Sequence, residues 1–127
     1  SLCKESPLDI ALDEELIGVH KAEDRIELIK NIKPQYIILK PSLVGGLMSS
    51  QEWIGIAEMN KVGWWITSAL ESNVGLNAIS QYTFTKSSKL PQGLGTGSLF
   101  TNNIISPLKV RDGKLEYDPN LPWEFNF

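Results

Sequence analysis

The chain has 127 residues, 42% hydrophobic and 21% charged, which is the composition of a globular domain with apolar mass for one core and not of a disordered segment. A formal charge of −3 without a dense Lys/Arg patch argues against a nucleic-acid partner, and no apolar run approaches the roughly 18 residues needed to span a bilayer. One cysteine, Cys3, forbids an intramolecular disulfide, and one histidine, His20, leaves no donor set for zinc. The opening residues, Ser1-Leu2-Cys3-Lys4-Glu5-Ser6, show no basic region followed by an apolar segment, so no export signal is visible and a cytoplasmic location is expected.

In chain order, Leu8 to Leu12 is a short strand candidate ending at Asp13, and Lys21 to Ile32 carries Ala22, Ile26 and Ile29 at helical spacing. Tyr36 to Leu39 is a continuous apolar run, expected of a parallel strand buried on both faces. Ser49-Ser50-Gln51-Glu52 matches a capping box and predicts a helix opening there, with Trp53, Ile56 or Ala57, and Met59 buried, and with Gly63 ending it. Trp64 to Thr67 is the next strand, its tryptophan pair read as packing residues, and Ser72 or Asn73 caps a helix through Leu76, Ile79 and Thr83. Ser87 to Gly97 is a Gly/Ser/Pro-rich connection holding a short last strand or loop at Gly93 to Gly97. Pro107 to Val110 and Lys114 to Tyr117 flank Arg111-Asp112-Gly113, a hairpin signal, and Leu121 to Phe125 brings apolar groups that need a surface to cover them.

Polar residues close each strand at a regular interval: Asp13, Lys40, Thr67 with Ser68, then the glycines around Gly95. Each gap is about one βα unit of roughly 30 residues. Right-handed crossovers put the carboxyl ends of parallel strands on one side of the sheet, where α/β folds bind ligands. The fold class predicted is therefore α/β, a partial (β/α) barrel. Four units fit here, whereas a closed barrel takes about 250 residues. Residues 1–105 form the half barrel and 106–127 a hairpin and tail packing outside it.

Asp13 opens Asp13-Glu14-Glu15, which reads either as a helix N-cap with acids in the first turn or as an oxygen ligand for a hard divalent cation. Lys40 either snorkels to water or points into a polar cavity, since a buried parallel strand tolerates an ammonium poorly. Pro41 stops its strand, and Gly45-Gly46 permits a sharp turn or a close backbone approach. Glu71-Ser72-Asn73 is either a capped polar loop or a contact for a substrate carboxylate. The Gly93 to Gly97 loop lacks a Walker ending and is read as a turn offering N–H groups to an anion. His20, in a charged segment, is read as neither ligand nor catalyst.

Ile10-Ala11-Leu12-Asp13-Glu14, Ile38-Leu39-Lys40-Pro41-Ser42-Leu43-Val44-Gly45-Gly46 and Ile66-Thr67-Ser68-Ala69-Leu70-Glu71-Ser72-Asn73-Val74-Gly75-Leu76, in this order, resemble the C-terminal half of the o-succinylbenzoate synthases. These belong to the enolase superfamily, in its muconate lactonizing subgroup. Leu94-Gly95-Thr96-Gly97 is similar to that family's last barrel strand, and the resemblance covers roughly residues 8 to 100. It implies a magnesium ion, or another divalent cation such as manganese, with Asp13 as the third of three acidic ligands. It also implies Lys40 as the second of two lysines flanking a small-molecule carboxylate substrate, with Thr67, Ser72 and Gly95 on the same rim. The implied reaction removes a proton alpha to a carboxylate, forms a metal-stabilised enediolate and expels hydroxide, giving o-succinylbenzoate for menaquinone synthesis. Lys40 is then either a base or a cation held against the enediolate.

The other two acids, the Lys-x-Lys strand and the cap belong to an earlier part of such a barrel and are not in these 127 residues. The expectation is a piece of a longer enzyme whose N-terminal half is its necessary partner, inactive alone. Two alternatives stand beside it. Dipeptide epimerases, N-acylamino acid racemases and muconate cycloisomerases share the Asp/Lys placement, although Lys40-Pro41 favours the synthase. A non-enzymatic βα module is the other, its open barrel edges covered by homo-oligomerisation.

Overall fold

The computed structural model describes residues 2–95 and 99–125. A short helix α1 (Leu2–Glu5) precedes β1 (Ala11–Leu12), a 3-10 turn (Glu14–Leu16), α2 (Ala22–Ile32), β2 (Tyr36–Leu39), α3 (Gly46–Met59), β3 (Gly63–Ile66) and α4 (Asn73–Phe84). The hairpin β4 (Leu108–Arg111) and β5 (Lys114–Tyr117) follows. Strands β1, β2 and β3 lie side by side and parallel, with Leu12 opposite Ile37 and Leu39 opposite Ile66. A fourth position is occupied by Gly93, in a parallel bridge with Thr67. This last strand is reduced to one residue for a local reason. Pro91 has no N–H to give a ladder, and the Gln92 side-chain oxygen, where a strand carbonyl would stand, accepts from Ile66 N at 2.8 Å. The result is the expected partial (β/α) barrel.

The first strand is shorter than Leu8 to Leu12. Ser6 Oγ donates to Leu8 O at 2.8 Å and accepts from Leu8 N at 3.1 Å, so this stretch is a hydroxyl-closed turn and Leu8 is exposed. Strand β2 is also not buried on both faces. Ile37 and Leu39 are fully buried while Tyr36 and Ile38 are half-buried, and β3 alternates in the same way. One face of the sheet thus meets the helices, and Leu12, Leu16, Trp53, Ala57 and Ile79 build the core with it. No helix among the described residues is long and apolar enough to cross a membrane.

Helix α3 begins three residues before the expected capping box. Gly45 is its N-cap at φ 100° and Gly46 follows at φ 90°, values that favour glycine. Ser49 and Glu52, the two ends of the box, serve another partner. Buried Arg25 of α2 donates from Nη2 to Ser49 Oγ at 2.7 Å, pairs through Nη1 with Glu52 Oε2, and donates from Nε to Val19 O at 3.0 Å. Its guanidinium stands 5.3 Å from the centroid of the Trp53 ring, so one cation fastens α2 to α3. Ile56 and Ala57 are buried as expected, but Met59, in the last turn, is exposed. Gly63 does not stop the helix. It is the first residue of β3, and it is glycine because the Tyr36 ring lies within 2.5 Å of where a Cβ would be.

The Asp112-Gly113 pair turns the hairpin with both residues at positive φ, as a two-residue turn of this hand requires. Trp123 of the tail lines an open groove with Phe84, Leu115 and Tyr117 and stacks on Phe125 at 5.9 Å, while Phe84, Tyr117 and Phe125 stay exposed.

Candidate functional site

Asp13 and Lys40 each follow directly on their strands, and parallel pairing of β1 with β2 brings them out on the same side. Lys40 Nζ lies 2.7 Å from Asp13 Oδ2 and 3.3 Å from Glu14 Oε1. The turn after Lys40 is closed by Leu43 N and Val44 N donating to Lys40 O, and by Gly46 N donating to Pro41 O at 2.7 Å. Pro41 is buried in that turn, which leaves the ammonium as the group presented at the rim. The glycine pair therefore shapes the turn into α3.

Asp13 precedes the 3-10 turn but makes no side-chain cap. Glu15 does the local work instead, accepting from Asp13 N at 3.1 Å, so the Asp13 carboxylate is free to meet Lys40. The hydrogen bond to Asp13 holds the Lys40 ammonium above the ordinary lysine range, with partial burial opposing it. The hydrogen bond from Lys40 in turn lowers Glu14 below the ordinary carboxylate range. Glu14 is a site residue that the sequence reading passed over. Its signal was its place beside Asp13 in a turn tighter than an α-helix.

Thr67 continues the line of β3 and donates from Oγ1 to Gly93 O at 2.7 Å, while Gly93 needs to be glycine because a Cβ there would meet that hydroxyl at 2.5 Å. Ser68 is buried beside the same carbonyl. Ser72 caps α4, accepting from Gly75 N at 3.5 Å, and remains exposed. Glu71 accepts a hydrogen bond from Ser42 Oγ and lies over Gly75, tying the loop after β2 to the first turn of α4. Gly95 is exposed, and Thr96 and Gly97 of the same loop lie outside the described residues. His20 is exposed and Cys3 is a buried free thiol.

Among the described residues the rim gathers two carboxylates suited to a hard divalent cation, Asp13 and Glu14. Asp13 supplies a carboxylate oxygen of the type such an ion prefers. Among the described residues, however, no group of three or more His, Cys, Asp or Glu side chains converges, so these residues alone do not make a complete site.

No protein-family model matches the chain. The o-succinylbenzoate synthase of Desulfotalea psychrophila is 56% identical over 115 residues, covering 91% of this chain and 31% of that protein. The crystal structure of MenC from Desulfotalea psychrophila LSv54 superposes with a TM-score of 0.86 at 56% identity, over 90% of this chain and 32% of that one. The muconate lactonizing enzyme of Pseudomonas putida superposes at 0.77 with 25% identity, over 95% of this chain and 33% of that one. The chain is thus a homologue of the o-succinylbenzoate synthases, in the enolase superfamily, and spans about a third of the length of the relatives it matches.

Proposed function

We propose that this chain is the part of a divalent-cation-dependent o-succinylbenzoate synthase that carries one metal ligand, Asp13, and the lysine beside it, Lys40, and that it is inactive without the rest of the barrel. High identity to a named synthase across nearly the whole chain supports this reading, and the adjacency of Asp13 and Lys40 at neighbouring strand ends agrees with it.

The reaction proposed is loss of water: a proton leaves the carbon alpha to a carboxylate and hydroxide leaves the neighbouring carbon, giving o-succinylbenzoate for menaquinone synthesis. When bound, a magnesium or manganese ion supplies positive charge to the substrate carboxylate. Asp13 is one ligand, and the others come from outside the described residues. Lys40 contributes a fixed positive charge, because its carboxylate neighbours keep it an ammonium, and it stands against negative charge that develops as the proton is removed. The Thr67 hydroxyl proton is committed to Gly93, so Thr67 serves the substrate by holding the glycine loop in place. Ser72 and the backbone at Gly95, both exposed, are the groups left to meet a substrate carboxylate.

A hybrid enzyme tests the reading. With this chain replacing the matched third of the Desulfotalea psychrophila synthase, the hybrid should form o-succinylbenzoate and the isolated chain should not. Lys40→Ala in the hybrid should lower kcat by about 10²–10³-fold, the loss typical of one electrostatic donor. A folded hybrid without product, or turnover by the isolated chain, overturns the proposal.

A further inference from the structure

We infer that Glu14 is a positioning residue for Lys40, a second anchor that holds the ammonium at the rim independently of Asp13. The inference rests on the reading of Lys40 as the functional amine and adds to it the means by which that amine is kept in place.

A lysine ammonium carries three donors on a flexible four-carbon stem, and one acceptor fixes neither its direction nor its rotamer. Here two of those donors meet carboxylates from consecutive residues, Asp13 Oδ2 at 2.7 Å and Glu14 Oε1 at 3.3 Å. Consecutive residues on a strand point to opposite faces, so this convergence needs a break in the strand. The break is present: β1 ends at Leu12, Asp13 adopts φ −127° and ψ −86°, and the chain enters the 3-10 turn at Glu14. Glu15 bonds the backbone N–H of Asp13 and pins the start of that turn. Glu14 is mostly exposed, with 76% of its side chain open against 27% for Asp13, and its carboxylate is held by its own backbone N–H and by Lys40, so the tight turn aims it and the ammonium meets it there. Asp13 can then be engaged elsewhere while the amine keeps its place.

The test reads Lys40 directly, in the 127-residue chain, by NMR of its NH3+ group: hydrogen-exchange lifetime and the order of the Nζ–H and Cε–H vectors. Asp13→Asn should leave Lys40 ordered because Glu14 remains. Adding Glu14→Gln to Asp13→Asn should raise the exchange rate by about two- to fivefold, the range that the coupling of an exposed ion pair corresponds to. Adding Glu14→Asp instead, which keeps the charge, should recover part of the lifetime. If Glu14→Gln leaves Lys40 exchange and order unchanged in the Asp13→Asn background, Asp13 was the only anchor and the inference is wrong. Because none of these measurements involves turnover, failure here is distinct from an inactive hybrid, which would instead remove the catalytic role of Lys40.

Discussion

Lys40 is held by acids on one side of an open rim, and that has a consequence in pH. A group whose pKa is raised in the folded state contributes stability fully below its unfolded value and loses it as pH rises through the folded one. Lys40 is such a group, shifted above the ordinary 10.5 first by the Asp13 hydrogen bond. Glu14 runs the other way, lowered from 4.5 first by the hydrogen bond from Lys40, so its contribution is present above that value and lost as pH falls through the folded one. The two windows together leave the arrangement intact throughout the neutral range. The Lys40 Cε resonance should therefore stay flat from about pH 6 to about pH 9 and move only above the ordinary lysine range. Lys40→Met should return the Glu14 titration toward its ordinary position. A Lys40 titrating at or below the ordinary value would contradict the pairing.

At the scale of elements, Arg25 shows where physical reasoning from the sequence stopped. It sits in the charged run Glu23-Asp24-Arg25, which reads as a solvated helix face, yet its side chain is 3% exposed. Two of its partners, Ser49 and Glu52, lie on another helix 24 and 27 residues away, and no local signal pairs them with it. Arg25→Ala should destabilise the chain by about 2–3 kcal/mol in denaturant unfolding, since it leaves the Val19 carbonyl and Ser49 hydroxyl without their donor and removes the guanidinium from the Trp53 ring. Arg25→Lys should recover little, because an ammonium has no planar fork to reach three partners. A loss within the range of a surface substitution, about 0.5 kcal/mol, would show that the clamp is not needed. The same limit explains the other misreadings. The capping box at Ser49 had the right letters, but tertiary partners outbid local ones, and Gly63 was glycine because of a ring on the neighbouring strand. By contrast β2, β3, α2, α4 and the Asp-Gly hairpin were legible, because apolar period and turn chemistry are written within each segment. Asp13 and Lys40 were legible as a pair for a similar reason: equal βα spacing makes their placement a matter of topology. Glu14 was not, since its direction depends on one tight turn.

For the whole molecule, the sheet has helices on one face and only half-buried residues on the other, Tyr36, Ile38 and Trp65 among them. The rim bears the same incompleteness: among the described residues it gathers two carboxylates, Asp13 and Glu14, both on Lys40, and no third joins them, where a magnesium site uses several oxygens. Ligand binding to the folded state stabilises it by RT ln(1 + L/Kd), L being the free ligand concentration, so metal affinity is readable as a melting shift. At a hundredfold excess over Kd the linkage amounts to about 2.7 kcal/mol, several degrees for a domain of this size. Carboxylates already paired with an ammonium must give up that partner before they can bind, and Asp13 and Glu14 together then return fewer oxygens than the octahedral set a magnesium ion requires. Millimolar magnesium should therefore move the Tm of the isolated chain by less than about 1 °C, and Asp13→Asn should not change that response. In the hybrid synthase, where further acids are supplied, the same magnesium should raise Tm by several degrees, and Asp13→Asn should abolish the rise. A large shift in the isolated chain that survives Asp13→Asn would mean that the ion binds somewhere other than this rim, and the assignment of Asp13 as its ligand would fail.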